Sequence, residues 1–280
     1  MKYSEHKTKL LPPVTKPKYV VFTDFDETYL AHENKECHQN EQKELEEYLL
    51  NNSHEKQIIF GWVTGSSITS VFSKMSRYEL RLLPHFIASS LGTELMYFDE
   101  KHYGEKDETW ESNLRKTGFS DKLVNNLVNI LKLDGINLIP QPQIADSHFL
   151  KNYYYYQQNK QLDRQAILKI KYLVKNAGIK VNISQCNPLV GDPQNCYDVD
   201  FIPSGTGKKH IVDFILRQTN VNYQNSIAFG ESGNDIEMLQ AVGHGYLVGN
   251  ATSEAKKLHS QIEDNEYTKG ILSVLKRLIK

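Results

Sequence analysis

Two aspartates two residues apart, Asp24 and Asp26, close the apolar run Tyr19-Val20-Val21-Phe22. Such a run reads as a buried strand, and at a strand end a spacing of two sends both carboxylates toward the same side. Two like charges held close are costly unless a cation lies between them or one carries a proton. That cost suggests a site. The plainer reading is a strand that stops at a polar turn, where Asp is common. Three further segments bear on the choice. Val63-Thr64-Gly65-Ser66 closes a second apolar run, Gly205-Thr206-Gly207-Lys208 precedes a helical pattern, and Gly230-Glu231-Ser232-Gly233-Asn234-Asp235 follows a third apolar run.

In this order the four segments resemble the motifs of the haloacid dehalogenase-like phosphatases. Catalysis of phosphoryl transfer is mostly positioning and charge compensation around an already anionic phosphorus. The resemblance implies that Asp24 is a nucleophile that forms an aspartyl-phosphate, later hydrolysed by water. It implies that Asp26 is the general acid and base. Neighbouring negative charge favours a proton on Asp26 and a bound metal disfavours it, and the sequence leaves that balance open. Thr64 would hold a phosphate oxygen, Gly65 would let the backbone approach, and Lys208 would face both the phosphate and Asp24. A lysine in a first helical turn is unfavourable for the helix dipole, which favours a functional reason for Lys208; Lys209 is assigned to solvent. Glu231 and Asp235 would complete a Mg2+ site with Asp24 and the main-chain carbonyl of Asp26, and Asn234 would steady the phosphate or the lysine. The family usually has Asp where this chain has Glu231. The metal is then expected to shift, to bind through water, or to be held mainly by Asp235.

These groups need a scaffold that brings four distant segments together. In the first third, strand patterns at 19–22, 58–63 and 86–88 alternate with helical patterns at 41–50 and 68–75. In the last third, helical patterns at 208–217 and 234–241 alternate with strands at 226–229 and 246–248, and a helix closes the chain at 267–279. Alternation of this kind predicts an α/β fold, a Rossmann-like doubly wound parallel sheet. The stretch 110–202 has another texture: a helix capped by Ser120, a strand-like 149–157, a helix over 163–177 ended by Gly178, and strands at 180–183 and 197–201. It reads as an α+β cap inserted into a core made of 1–109 and 203–280. Its position resembles the second cap type of the family, expected to close over the site and admit small substrates. Tyr153 to Tyr156 read as a strand with one packed and one wet face, or as part of a sugar pocket.

A chain of 280 residues with formal charge −1 does not ask for nucleic acid or an anionic membrane. Its three cysteines, without a CxxC pair, argue against a disulfide framework or a zinc knuckle. No signal-peptide core or bilayer-length apolar run appears, so a cytoplasmic protein is expected, as monomer or homodimer. Residues 84–94, 186–193 and 197–203 resemble the kanosamine-6-phosphate phosphatases of bacilli. That likeness implies hydrolysis of a 3-amino-3-deoxyglucose 6-phosphate. An ammonium substituent wants carboxylates or carbonyls, which Glu94, Asn187, Asp192, Asp198 and Asp200 could supply. Asp192 also reads as a turn residue before Pro193, and one of Asp198 and Asp200 as facing solvent, so Glu94, Asn187 and Asp198 are the candidate substrate contacts. The competing expectations are a sucrose-phosphate or general hexose-phosphate phosphatase, a phosphomutase, and an inactive binding protein.

Overall fold

The computed structural model describes residues 8–33, 35–98, 104–142, 147–186 and 193–280. In chain order the strands are β1 (Lys9–Leu10), β2 (Tyr19–Thr23), β3 (Ile58–Val63), β4 (Leu82–Leu83), β5 (Phe86–Ser89), β6 (Glu94–Phe98), β7 (Gly104–Lys106), β8 (Ile139–Pro140), β9 (Lys151–Tyr156), β10 (Ile179–Gln185), β11 (Cys196–Pro203), β12 (Ser226–Gly230) and β13 (His244–Leu247). The helices are α1 (Glu36–Asn52), α2 (Ile68–Arg77), α3 (Glu108–Arg115), α4 (Asp121–Leu133), α5 (Lys160–Asn176), α6 (Lys208–Thr219), α7 (Ile236–Gln240), α8 (Ser253–Leu258) and α9 (Tyr267–Leu278). They form two compact units, one drawn from Met1–Asp107 and Gly207–Lys280, the other from Glu108–Thr206.

The first unit is built on a seven-stranded sheet in the order β13-β12-β2-β3-β5-β6-β7. Its first five strands run parallel. Val20, Val21 and Phe22 are buried completely, as a central parallel strand covered on both faces requires. On one side Leu45 and Leu49 of α1, Val71 and Met75 of α2, and Ile271 and Leu275 of α9 pack with Phe60 and Trp62 of β3. At one edge the sheet departs from the parallel pattern: β5 with β6 and β6 with β7 are antiparallel. Only a 3-10 turn, Ser90–Gly92, joins β5 to β6, and a parallel return needs a crossover of a dozen or more residues.

Parallel direction is what gathers the motifs. β2 lies between β12 and β3, so Asp24, Thr64 and Glu231, each the residue after its strand, emerge at the same edge of the sheet. In open α/β sheets this carboxyl edge is where ligands bind.

The second unit has a four-stranded antiparallel sheet, β10-β11-β9-β8. Tyr153, Tyr155, Val199 and Phe201 pack with Val124 and Leu127 of α4 and Ile170 of α5. Tyr154 packs with Cys186 and Cys196 in a separate small cluster, and Tyr156 is exposed. The four tyrosines alternate between faces, but the face expected to be wet carries buried Tyr154 as well as exposed Tyr156, so both faces are at least partly packed. Ser120 caps α4 by accepting from the Leu123 N–H at 3.3 Å.

Candidate functional site

Asp24 follows β2 directly, and its N–H bonds the Phe229 carbonyl of the neighbouring β12 at 3.0 Å. The chain then turns tightly. Glu27 takes a left-handed φ of 58°, and Leu30 N–H returns to the Phe25 carbonyl at 2.8 Å. Asn250 donates to the Glu27 carbonyl at 2.7 Å and pins the turn from the far end of the sequence. Tyr29 anchors it below, its ring 4.9 Å from Trp62.

Lys208, the first residue of α6, is buried and carries its ammonium between two carboxylates. Nζ bonds Asp24 Oδ1 and lies 2.5 Å from Asp235 Oδ1. Burial pulls the lysine toward its neutral form, but Asp235, Asp24 and Glu231 outweigh it and hold the charge. Lys209 instead pairs with Asp213 of the same helix at 2.5 Å. The expected division between the two lysines is what the helix geometry produces.

Asp235 uses its other oxygen to build its own loop. Oδ2 accepts from the Glu231 and Ser232 N–H groups, each at 3.0 Å. Gly230 must be glycine here, because a Cβ would stand 2.3 Å from Asp235 Cβ. Asn234 is exposed and its Oδ1 accepts from Ser232 Oγ at 2.9 Å. Thr64 is buried, with its Oγ1 accepting from Ser66 N–H at 3.0 Å, and Gly65 is exposed beside it.

Asp24, Glu231 and Asp235 offer oxygen atoms that all lie within 4.8 Å of one another, the one such acidic grouping among the described residues. Burial, then Asp24 and Asp235, push the Glu231 carboxyl upward. Burial also pushes Asp24 upward, against Lys208. When all three are ionised, these carboxylates facing one ammonium leave two negative charges uncompensated. A divalent cation supplies that charge, and an all-oxygen donor set suits a hard one. The residues present therefore fit a divalent ion.

Asp26 is held apart from this cluster. Its Oδ1 accepts from His32 Nε2 at 2.8 Å and Lys74 Nζ at 2.6 Å, and its Oδ2 from Ser66 Oγ at 2.7 Å. Burial pushes its carboxyl up, but His32, Lys74 and Ser66 together hold it well below the usual carboxylate range. Sequence reasoning gives no role to Lys74, His32 or Thr28. A signal exists for Lys74: it sits three residues after buried Val71 and seven after Ser67, on the border of the buried stripe of α2.

The remaining candidates differ. Glu94 is buried at the start of β6, where Lys106 Nζ binds it at 2.6 Å and Ser89 Oγ at 3.3 Å. Asp198, in the second unit, accepts from Gln141 Nε2 at 2.8 Å. Asp200 accepts from Asn152 at 2.7 Å and Asn182 at 3.2 Å. Asn187 and Asp192 lie outside the described residues.

The sequence profile of the family described as sucrose-6F-phosphate phosphohydrolase matches residues 17–277. The chain is 50% identical to a kanosamine-6-phosphate phosphatase of Bacillus subtilis over 99% of its own length and 98% of that protein's. A crystal structure of a haloacid dehalogenase-like hydrolase from Bacillus subtilis superposes with a TM-score of 0.83 at 48% identity, covering 98% of this chain and 96% of that one. The sucrose-phosphatase of Synechocystis, solved with sucrose and phosphate, shares the fold with a TM-score of 0.70 at 18% identity, over 94% of this chain and 98% of the other.

Proposed function

This chain belongs to the sucrose-6F-phosphate phosphohydrolase family of haloacid dehalogenase-like hydrolases, and from that premise we propose that it hydrolyses kanosamine 6-phosphate to kanosamine and phosphate. That it is a sugar-phosphate phosphatase follows from the family and the relative together. The amino sugar is our reading, supported by 50% identity across 99% of the chain to a phosphatase of that name. The observation that carries the chemistry is the Lys208 ammonium bridging Asp24 and Asp235, three residues from three distant segments.

In this reading Asp24 attacks phosphorus, the bond from phosphorus to the sugar oxygen breaks, and Asp26 delivers a proton to that oxygen. Water then attacks the aspartyl-phosphate, Asp26 takes its proton, and phosphate leaves. Lys208 offsets charge on the transferring group, and Thr64, Gly65 and Asn234 hold its oxygens. Mg2+ is the cation we assign to Asp24, Glu231, Asp235 and the Asp26 carbonyl; when bound it neutralises charge on the phosphoryl oxygens. Asp26 rests as a carboxylate among three donors, so delivering a proton requires that substrate binding rearrange those contacts. Glu94, Asn187 and Asp198 stand as the proposed substrate contacts.

Phosphate release with Mg2+ should be fastest in kcat/KM for kanosamine 6-phosphate, ahead of glucose 6-phosphate and sucrose 6-phosphate. A preference for either neutral sugar overturns the amino-sugar assignment. The sucrose alternative has one support of its own, the description of the matching family. Asp24→Asn should abolish release; activity persisting in that variant would remove the aspartyl-phosphate route.

A further inference from the structure

Glu231 ends on a hydroxyl that belongs to the opposite motif. Thr28 Oγ1 donates to Glu231 Oε2 at 2.5 Å, across 203 residues of sequence. Thr28 is fully buried, two residues beyond Asp26 in the turn locked by Tyr29 and Leu30. Its hydroxyl is therefore fixed by the fold. Glu231 is fixed at its backbone as well: its N–H bonds Asp235 Oδ2 at 3.0 Å, and its carbonyl accepts from Thr252 N–H at 2.8 Å. What remains free is the side chain, and a glutamate has one more torsion to restrain than an aspartate.

We propose that Thr28 is a positioning residue that fixes the long Glu231 side chain for cation binding, and that the two residues form one functional unit. The inference rests on the cation role given above to Asp24, Glu231 and Asp235. A hydrogen bond to one carboxylate oxygen leaves the other free to ligate. An aspartate at 231 ends one carbon–carbon bond earlier, about 1.5 Å short, and cannot reach the Thr28 hydroxyl while its backbone stays in place. The extra methylene of Glu231 and the hydroxyl of Thr28 thus depend on each other. Partners that orient a ligand in this way are worth about 10- to 100-fold in metal affinity.

The test is a double-mutant cycle read by Mg2+ titration calorimetry on the full chain without substrate, comparing wild type, Thr28→Val, Thr28→Ser, Glu231→Asp and Thr28→Val/Glu231→Asp. Valine keeps the branched shape of threonine, and melting in EDTA reports on folding apart from the metal. Thr28→Val should weaken Mg2+ binding about tenfold, while Thr28→Ser, which keeps the hydroxyl, stays within about twofold of wild type. In the Glu231→Asp background the valine should change affinity by less than about twofold. If Thr28→Val costs the same in both backgrounds, or nothing in either, Mg2+ still binding the wild type, the positioning role is wrong and the cation reading stands. If the wild type binds no Mg2+, both fall.

Discussion

Lys74 Nζ lies 2.6 Å from Asp26 Oδ1 and 3.2 Å from Ser66 Oγ, so one ammonium ties the second aspartate of the first motif to the loop of the second. Lys74 comes from the last turn of α2, whose Ser67 cap accepts from Ser70 N–H at 3.2 Å and sets where the helix starts. The position of the Asp26 carboxylate thus depends on a helix that carries none of the four motifs.

Replacing Lys74 by Met should leave Asp26 with two of its three partners and less constrained. Steady-state kinetics should show kcat reduced about tenfold or more with KM changed by less than about threefold, because positioning is lost and substrate binding is not. Lys74→Arg should recover most of the rate. A rise in KM at constant kcat would mean that Lys74 contacts the sugar phosphate instead of aligning Asp26.

Lys208 allows a separation of charge on the phosphate from charge on the cation. Lys208→Met should lower kcat about 10³-fold, a loss comparable to removing a main transition-state donor. Mg2+ affinity, measured by calorimetry, should hold or increase, since an ammonium that bonds both Asp24 and Asp235 competes with a cation for the same carboxylates. In EDTA the variant should be less stable by about 3–5 kcal/mol, because buried carboxylates lose their partner. Loss of Mg2+ binding would contradict this division of roles.

Asp198 is the substrate candidate whose surroundings argue most clearly for a specific test. Its carboxylate accepts from Gln141 at 2.8 Å, and asparagine keeps its shape without its charge. Asp198→Asn should reduce kcat/KM for kanosamine 6-phosphate about tenfold and for glucose 6-phosphate less than about twofold, as expected if the charge meets an ammonium group. Equal losses on both substrates would assign Asp198 to the packing of its own sheet.

The sequence is most legible where one element is buried on every side. β3 runs over Ile58–Val63, as its unbroken apolar pattern predicts, and Lys208 opens α6 where the Gly-Thr-Gly turn places it. Legibility falls where long-range contacts override local signals. β13 covers His244–Leu247 and not 246–248. A Cβ at Gly245 would stand 2.1 Å from the Leu239 carbonyl oxygen, so close packing against α7 demands a glycine inside this strand. α1 begins at Glu36, five residues before the predicted 41, because its first turns are polar and show no periodicity. β7 is polar and carries no pattern that predicts it, while α3 offers a single apolar pair at helical spacing, Trp110 and Leu114, too short a signal to mark a helix. Within the site, the motif residues can be read by type and order, whereas Thr28, His32 and Lys74 act through contacts that only the fold creates.

Glu46 gives a prediction independent of catalysis. It is buried on α1, where Oε1 accepts from Tyr29 OH at 3.2 Å and from Arg81 N–H at 3.2 Å. Burial raises its carboxyl from 4.5 to about 7, and the hydrogen bonds from Arg81, Tyr29 and Gln42 only partly oppose the rise. The folded chain therefore holds a proton that the unfolded chain releases. This contribution to stability is complete below about pH 4.5 and is lost as pH rises through about 7, a change of about 3 kcal/mol. Glu46→Gln keeps an acceptor oxygen but cannot ionise. Urea unfolding at pH 5 and pH 8 should show the wild type losing about 2–3 kcal/mol more than the variant between the two conditions. The same pH difference in both proteins would mean that Glu46 stays ionised inside the fold, with its hydrogen bonds fully offsetting the cost of burial.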